Sequence, residues 1–236
     1  MRVRIRFEKT GIMRYVGHLD LMRFFQKAVK RAGLPIRYSE GFNPHQIMSF
    51  ASPLGVGLTS EGEYMDIDIK EQVDSKAALE TLNANMVEGL EIKSFKYLPD
   101  NAEKCMSAVT AASYLVTYKD SKDDACYVDN ILELKQKFFD EAASINIVKK
   151  TKKGERELDL KPLIYRFNIR VVDNKPVYDL LLSSGSTDNI KPELVVKAFH
   201  EFLGLPEFDE LSLDIKRTDM FTGESDSFVS LGDIGQ

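Results

Sequence analysis

Long apolar runs are missing from this chain of 236 residues. None approaches the roughly 18 uninterrupted apolar residues that a membrane span needs, and the opening MRVRIRF lacks the apolar block of a secretory signal. The expectation is a cytoplasmic protein with no membrane partner. Cysteine is scarce as well. Cys105 and Cys126 stand 21 positions apart with no histidine nearby, a spacing that writes neither a zinc site nor an iron–sulfur motif. No metal site is expected, and the two thiols read as buried or incidental. With three histidines in all, few side chains have an unperturbed pKa suited to proton transfer near neutrality.

What is present is an ordinary globular composition, 43% apolar and 29% charged, long enough for one large domain or two small ones. The net charge of −5 argues against a nucleic-acid binder, yet the charges are unevenly placed. Residues 1–50 carry ten Lys and Arg against Glu8, Asp20 and Glu40, a net +7, and the rest of the chain is acidic by −12. That asymmetry predicts a basic face on an acidic body.

Hydrophobic periodicity orders the elements. VRIRF alternates, with Val3, Ile5 and Phe7 on one side and Arg2, Arg4 and Arg6 on the other, the period of a half-buried strand. From His18 to Ala32 the apolar positions Leu19, Met22, Phe25, Val29 and Ala32 recur at three and four, a helix ended by Gly33 and Pro35. Strand pieces at 36–39 and 47–51, an alternating EGEYMDIDI, a helix over 75–86 and a strand over 90–97 complete a βαββαβ series, the ferredoxin-like unit. The series then repeats: a strand at 112–118, a helix at 124–142, a strand at 145–150, a hairpin of 163–172 and 177–183 around Asp173-Asn174-Lys175, a helix from Pro192 to about 202, and a strand at 211–216. The fold class is α+β, two tandem ferredoxin-like units with antiparallel sheets, spanning 1–98 and 109–221. A flexible tail is expected over 222–236, where Lys and Arg are absent.

Three groups of residues invite a functional reading. Arg2, Arg4 and Arg6 should share the helix-free sheet face with Tyr64, Asp66 and Asp68. Cross-strand pairing would neutralise much of that stripe; left unpaired, it would offer a platform for phosphate or RNA. The aromatic signature of RNA-recognition domains is missing from EGEYMDIDI. The segment KTGIMRYVGHLD puts Arg14, Tyr15 and His18 around a helix start, where unpaired N–H groups favour an anion, although Asp20 already meets part of that demand. The loop YSEGFNPH gathers Asn43 and His45 as exposed polar candidates beside Arg37, with Phe42 as its apolar anchor. His18, Tyr15 and His45 are the candidates for any catalysis. The loop SSGSTDN before Pro192 has a phosphate-cradling look but lacks a P-loop lysine, and Asp188 or Asn189 as a helix cap accounts for it.

The runs GHLDLMR, AVKRAGLPIRYSEGFNPH and SFASPLGVGLTSEGEYMD, with ELDLKPLIY and IKRTDMF further on, resemble an uncharacterised bacterial family described as radical-SAM-linked or radical-SAM-associated, a domain of unknown function. The likeness runs to about residue 221. It implies a chain fused to, or encoded beside, a radical S-adenosylmethionine protein with a cobalamin-binding-like region. No CxxxCxxC occurs here, so S-adenosylmethionine and the iron–sulfur cluster are expected on that partner and no cofactor on this chain. The function so implied is a non-catalytic accessory or substrate-presenting module for a radical-SAM enzyme acting on RNA or a ribosome-related substrate. Arg14, His18, Arg37, Asn43 and His45 would line the site, with Arg2, Arg4 and Arg6 supplying field. Tandem ferredoxin-like units are similar also to CRISPR repeat-processing endoribonucleases, which makes a metal-independent ribonuclease using Tyr15 and His18 the alternative. A protein-binding adaptor is the third reading.

Overall fold

The structure, a computed structural model, describes residues 1–119, 128–151, 154–185, 189–205, 209–225 and 227–236. Its chain forms two compact units, Met1–Thr110 with Arg217–Gln236, and Ala111–Lys216. In the first, β1 (Arg2–Lys9), α1 (His18–Arg31), β2 (Met48–Phe50), β3 (Thr59–Asp68), α2 (Ser75–Asn83) and β4 (Leu90–Tyr97) follow in βαββαβ order, and a short α3 (Cys105–Ala108) comes after. β1 lies between β4 and β3, β2 pairs on β3, and all three pairings are antiparallel, which is the ferredoxin-like arrangement.

Alternation along β1 sends Val3, Ile5 and Phe7 into a core with Leu21, Phe25 and Val29 of α1 and Met65, Ile67 and Ile69 of β3. The helix is rotated from its predicted phase. Leu21, Phe25, Ala28 and Val29 are buried, whereas Leu19 is 62% exposed. Both stripes recur at three and four, so periodicity leaves the choice open; the packing of Phe25 on Phe7, ring centroids 4.7 Å apart, fixes it. Gly33 (φ +70°) closes α1 in the left-handed region, and Leu34 N–H reaches back to Val29 O, a Schellman stop.

The second unit holds β5 (Ala111–Tyr118), α4 (Ile131–Lys135) running into a π-helical turn at Gln136–Asp140, β6 (Asn146–Thr151), β7 (Gly154–Asp159), β8 (Ile164–Val172), β9 (Lys175–Ser183) and α5 (Pro192–Phe202). β9 lies between β5 and β8, and Phe138, Phe167, Tyr178 and Phe199 pack ring on ring over the sheet. Asp173 and Asn174 both take positive φ (50° and 59°), the requirement of a two-residue hairpin turn, where the sequence placed it. One element differs. The charged run GERELD, between the strand at 145–150 and the hairpin, where the sequence pattern places no element, is β7, paired with β6 in a separate two-stranded sheet. Its polar alternation gives neither face an apolar signature. Part of the helix expected over 124–142 and the Ser186–Asp188 loop lie outside the described residues.

β10 (Leu213–Thr222) carries the chain back from the second unit to the first, where it lies beside β3. Gly62 permits that approach: a Cβ there would stand 2.5 Å from Thr218 O. Residues 222–236, expected to be flexible, belong to the first unit. β11 (Val229–Ser230) pairs with β10, Leu231 is fully buried, and Gln236 and Tyr97 exchange two main-chain hydrogen bonds of 2.7 and 3.0 Å. Main-chain bonding needs no side-chain period, and Leu231, with Phe228 packed on Phe221, anchors the rest. No helix among the described residues is long and apolar enough to cross a membrane.

Candidate interaction surface

The arginine stripe of β1 faces the partners expected of it: Arg2 stands opposite Asp68, Arg4 opposite Asp66 and Arg6 opposite Tyr64. Arg4 is 2% exposed, binds Asp66 through Nε (2.9 Å) and Nη2 (3.1 Å), and donates from Nη2 to Glu103 O at 3.0 Å. Arg2 lies 3.6 Å from Asp68 and donates to Ala102 O. Arg6 sits over the Tyr64 ring, 6.0 Å from its centroid, and Lys96 donates to Gly232 O. Cations of this face thus hold carbonyls of two covering segments, the strap 99–108 and the C-terminal residues. Tyr64 donates to Asp219, which also accepts from Ser230. Burial first, and the Asp219 carboxylate second, raise the Tyr64 hydroxyl well above the usual phenol range. Cys105 N–H binds Asp66, and burial pushes the Cys105 thiol up to about 12, so it is a structural group and not a nucleophile. Arg4 and Arg2 are thus paired with carboxylates and drawn under the covering segments, whereas Arg6 meets a ring and Lys96 a carbonyl.

The segment around Arg14 is different in kind. Gly11–Tyr15 forms a 3-10 turn whose Met13 is buried, and Arg14 clasps the loop after β2 twice: Gly57 N–H donates to Arg14 O at 2.8 Å, and Arg14 Nε donates to Gly57 O at 2.9 Å. Lys9, 1% exposed, adds a long bond of 3.4 Å to the same Arg14 carbonyl. Burial lowers the pKa of Lys9, opposed by the charge of nearby Glu63. Glu63 is itself bound bidentately by buried Arg217 (2.8 and 2.6 Å), whose Nη2 also donates to Ser52 O. The loop is therefore tied at Ser52 and at Gly57. On this frame Ile12 (75%), Tyr15 (69%), Leu19 (62%) and Val56 (63%) stand exposed. Sequence reasoning missed three of them as surface residues; the available signal was Ile12 and Val56 next to glycines, where a core position is unusual.

His18 places its ring edge-on to Phe50, centroids 5.3 Å apart. His45 belongs elsewhere. Its Nδ1 lies 2.8 Å from Ser39 Oγ, its N–H donates to the same oxygen, and the neighbouring Gln46 side chain donates to Gln26 O of α1. Eight residues, about 12 Å of helix, separate His18 from Gln26. The two imidazoles do not converge, so the shared pocket expected for His18, His45, Arg14, Arg37 and Asn43 splits into two regions. Arg37, Asn43 and His45 are exposed about the loop, and Phe42, expected as its anchor, is fully exposed because the loop is closed by polar bonds below it. Among the described residues no group of three or more His, Cys, Asp or Glu is placed to hold a metal ion.

Residues 2–192 match a family model described as an uncharacterized protein conserved in bacteria, DUF2344. The chain belongs to that family. No curated protein matches it in sequence. Among solved structures it is similar, at 11% identity and a TM-score of 0.48, to a chain of a Cbf5-Nop10-Gar1 complex, covering 98% of this chain and 53% of that one, so that it spans about half of that chain's length. A second likeness is to an unknown protein from Galdieria sulphuraria, 11% identical with a TM-score of 0.26, covering 92% of this chain and 96% of that one.

Proposed function

We propose that this DUF2344 member is a non-catalytic accessory module that docks on a separate radical S-adenosylmethionine enzyme and presents an RNA or ribosome-related substrate to it. The carrying observation is the exposed apolar set Ile12, Tyr15, Leu19 and Val56 on a frame locked by the Arg14–Gly57 clasp. Aliphatic side chains held out on a rigid support gain free energy when a protein partner covers them, roughly 1.5–3 kcal/mol for each large side chain fully buried, and nucleobases have no comparable use for branched aliphatics. The choice of partner rests on the resemblance carried by GHLDLMR and the following motifs. Cluster and S-adenosylmethionine chemistry would then reside on the enzyme.

Co-expression with a radical-SAM protein chosen because its gene adjoins that of a DUF2344 member, followed by affinity purification, tests the reading. The two should co-purify, and Ile12→Asp with Leu19→Asp should abolish the complex while leaving the circular-dichroism melt unchanged. A complex that survives the double substitution would place docking on another face, and no complex at all would remove the radical-SAM partner.

A further inference from the structure

We propose that the loop from Tyr38 to Gln46 is a stacking site for an unpaired base of a single-stranded nucleic acid, with Lys27, Lys30 and Arg37 taking the flanking phosphates. This deepens the substrate half of the reading above and does not depend on which enzyme docks at Ile12 and Leu19. Phe42 carries the inference. Its relative exposure is 106%, so the ring contributes nothing to the core that folding builds. A large apolar side chain raised this far into water needs a use or a neighbour, and its neighbours in sequence are Gly41 and Asn43.

The stem beneath the ring is closed. Tyr38 and Gln46 form an antiparallel bridge, Ser39 N–H donates to His45 O at 2.8 Å, and Ser39 Oγ bonds both the His45 N–H and its Nδ1. Gly41 supplies the positive φ (+110°) that turns the chain at the tip. The ring is therefore carried on a stem already ordered, which reduces the entropy lost on binding. Gln46 ties this stem to Gln26 O, placing it beside Lys27 and one helical turn from Lys30. Arg37 lies at the other foot of the stem, its carbonyl accepting from Ile47 N–H. Lys27, Lys30 and Arg37 are exposed, and among the described residues their side chains make no ion pair or hydrogen bond. Glu40 is the one carboxylate on the loop.

A planar ring, free cations and the polar edges of Asn43 and His45 are the components of single-strand binding: a π-face for a base, charge for the backbone and hydrogen-bond groups for base edges. A protein partner would instead favour contiguous apolar surface, which Ser39, Glu40, Asn43 and His45 deny it here.

The chain has no tryptophan, so Phe42→Trp installs a single indole reporter. The full chain carrying it is titrated at low salt with oligouridylate, oligothymidylate, a duplex and polyglutamate. Single strands should quench the indole, with affinity matching the unsubstituted chain in filter binding. Phe42→Ala should weaken binding about tenfold, and Lys27→Ala or Lys30→Ala should each flatten the logarithmic salt dependence by about 0.7. Stronger quenching by oligouridylate assigns a 2′-hydroxyl contact and equal quenching a sugar-tolerant stack; both support the site. No quenching by either single strand, or equal quenching by duplex or polyglutamate, overturns it, and leaves the docking experiment unaffected.

Discussion

Arg4 enters the sequence as a candidate for binding phosphate and ends as an internal crosslink, holding Asp66 with two bonds and the strap with a third. Arg4→Ala leaves a buried carboxylate without its counter-charge and should cost about 3–5 kcal/mol in urea unfolding. Pairing Arg4→Met with Asp66→Leu should recover most of that loss, short by about 1 kcal/mol for the Cys105 N–H that Asp66 no longer accepts. A double variant destabilised by the sum of Arg4→Met and Asp66→Leu taken singly would show that the pair is not coupled. Period-two alternation was enough to read which residue faces which across β1 and β3. Burial of the stripe was not readable, because Ala102 and Glu103 cover it through main-chain carbonyls that leave no mark in residue type. Phe42 failed in the opposite direction: an aromatic letter reads as core unless something local says otherwise.

At the scale of elements, the Gly11–Tyr15 turn depends on groups far apart in sequence. Lys9 supports it from β1, and the loop it clasps at Gly57 is held at Ser52 by Arg217. Because burial lowers the Lys9 pKa below 10.5, the unfolded chain retains a proton that the folded chain releases between the two values. Stability attributable to Lys9 therefore rises with pH across that interval and is lowest below it. Comparing denaturation of the native chain with Lys9→Met as pH is raised toward 10.5 should show the native chain gaining on the variant; parallel curves would mean that burial does not perturb Lys9. β1, α1, β3 and β4 were legible from apolar period and helix stops. The phase of α1 was not, since two stripes fit the spacing, and β7 was hidden by charge on both its faces.

The whole molecule is discontinuous in its first unit, which needs Arg217–Gln236 to complete it. A fragment ending at Thr110 lacks the guanidinium that neutralises Glu63, the carboxylate that accepts from Tyr64, and the buried Leu231. That fragment should unfold without a cooperative transition, and joining it to residues 217–236 through a flexible glycine–serine linker should restore one in calorimetry. Cooperative unfolding of the unjoined fragment would show that the returning segment is dispensable. The repeated βαββαβ order was readable from the sequence, but the boundary near 221 was not. IKRTDMF looks like a strand losing its apolar period, whereas Arg217 and Asp219 are interior groups whose partners lie more than a hundred and fifty positions earlier.

This discontinuity also sets an order of events during synthesis. At roughly 5–20 residues per second, the hundred or so residues between Thr110 and Arg217 take the ribosome about 5–20 s to add. Throughout that interval the nascent amino-terminal half carries an unpaired strand flank and a Glu63 that lacks its Arg217 partner. A chaperone that recognises exposed edges has its opportunity then, before the last strand arrives.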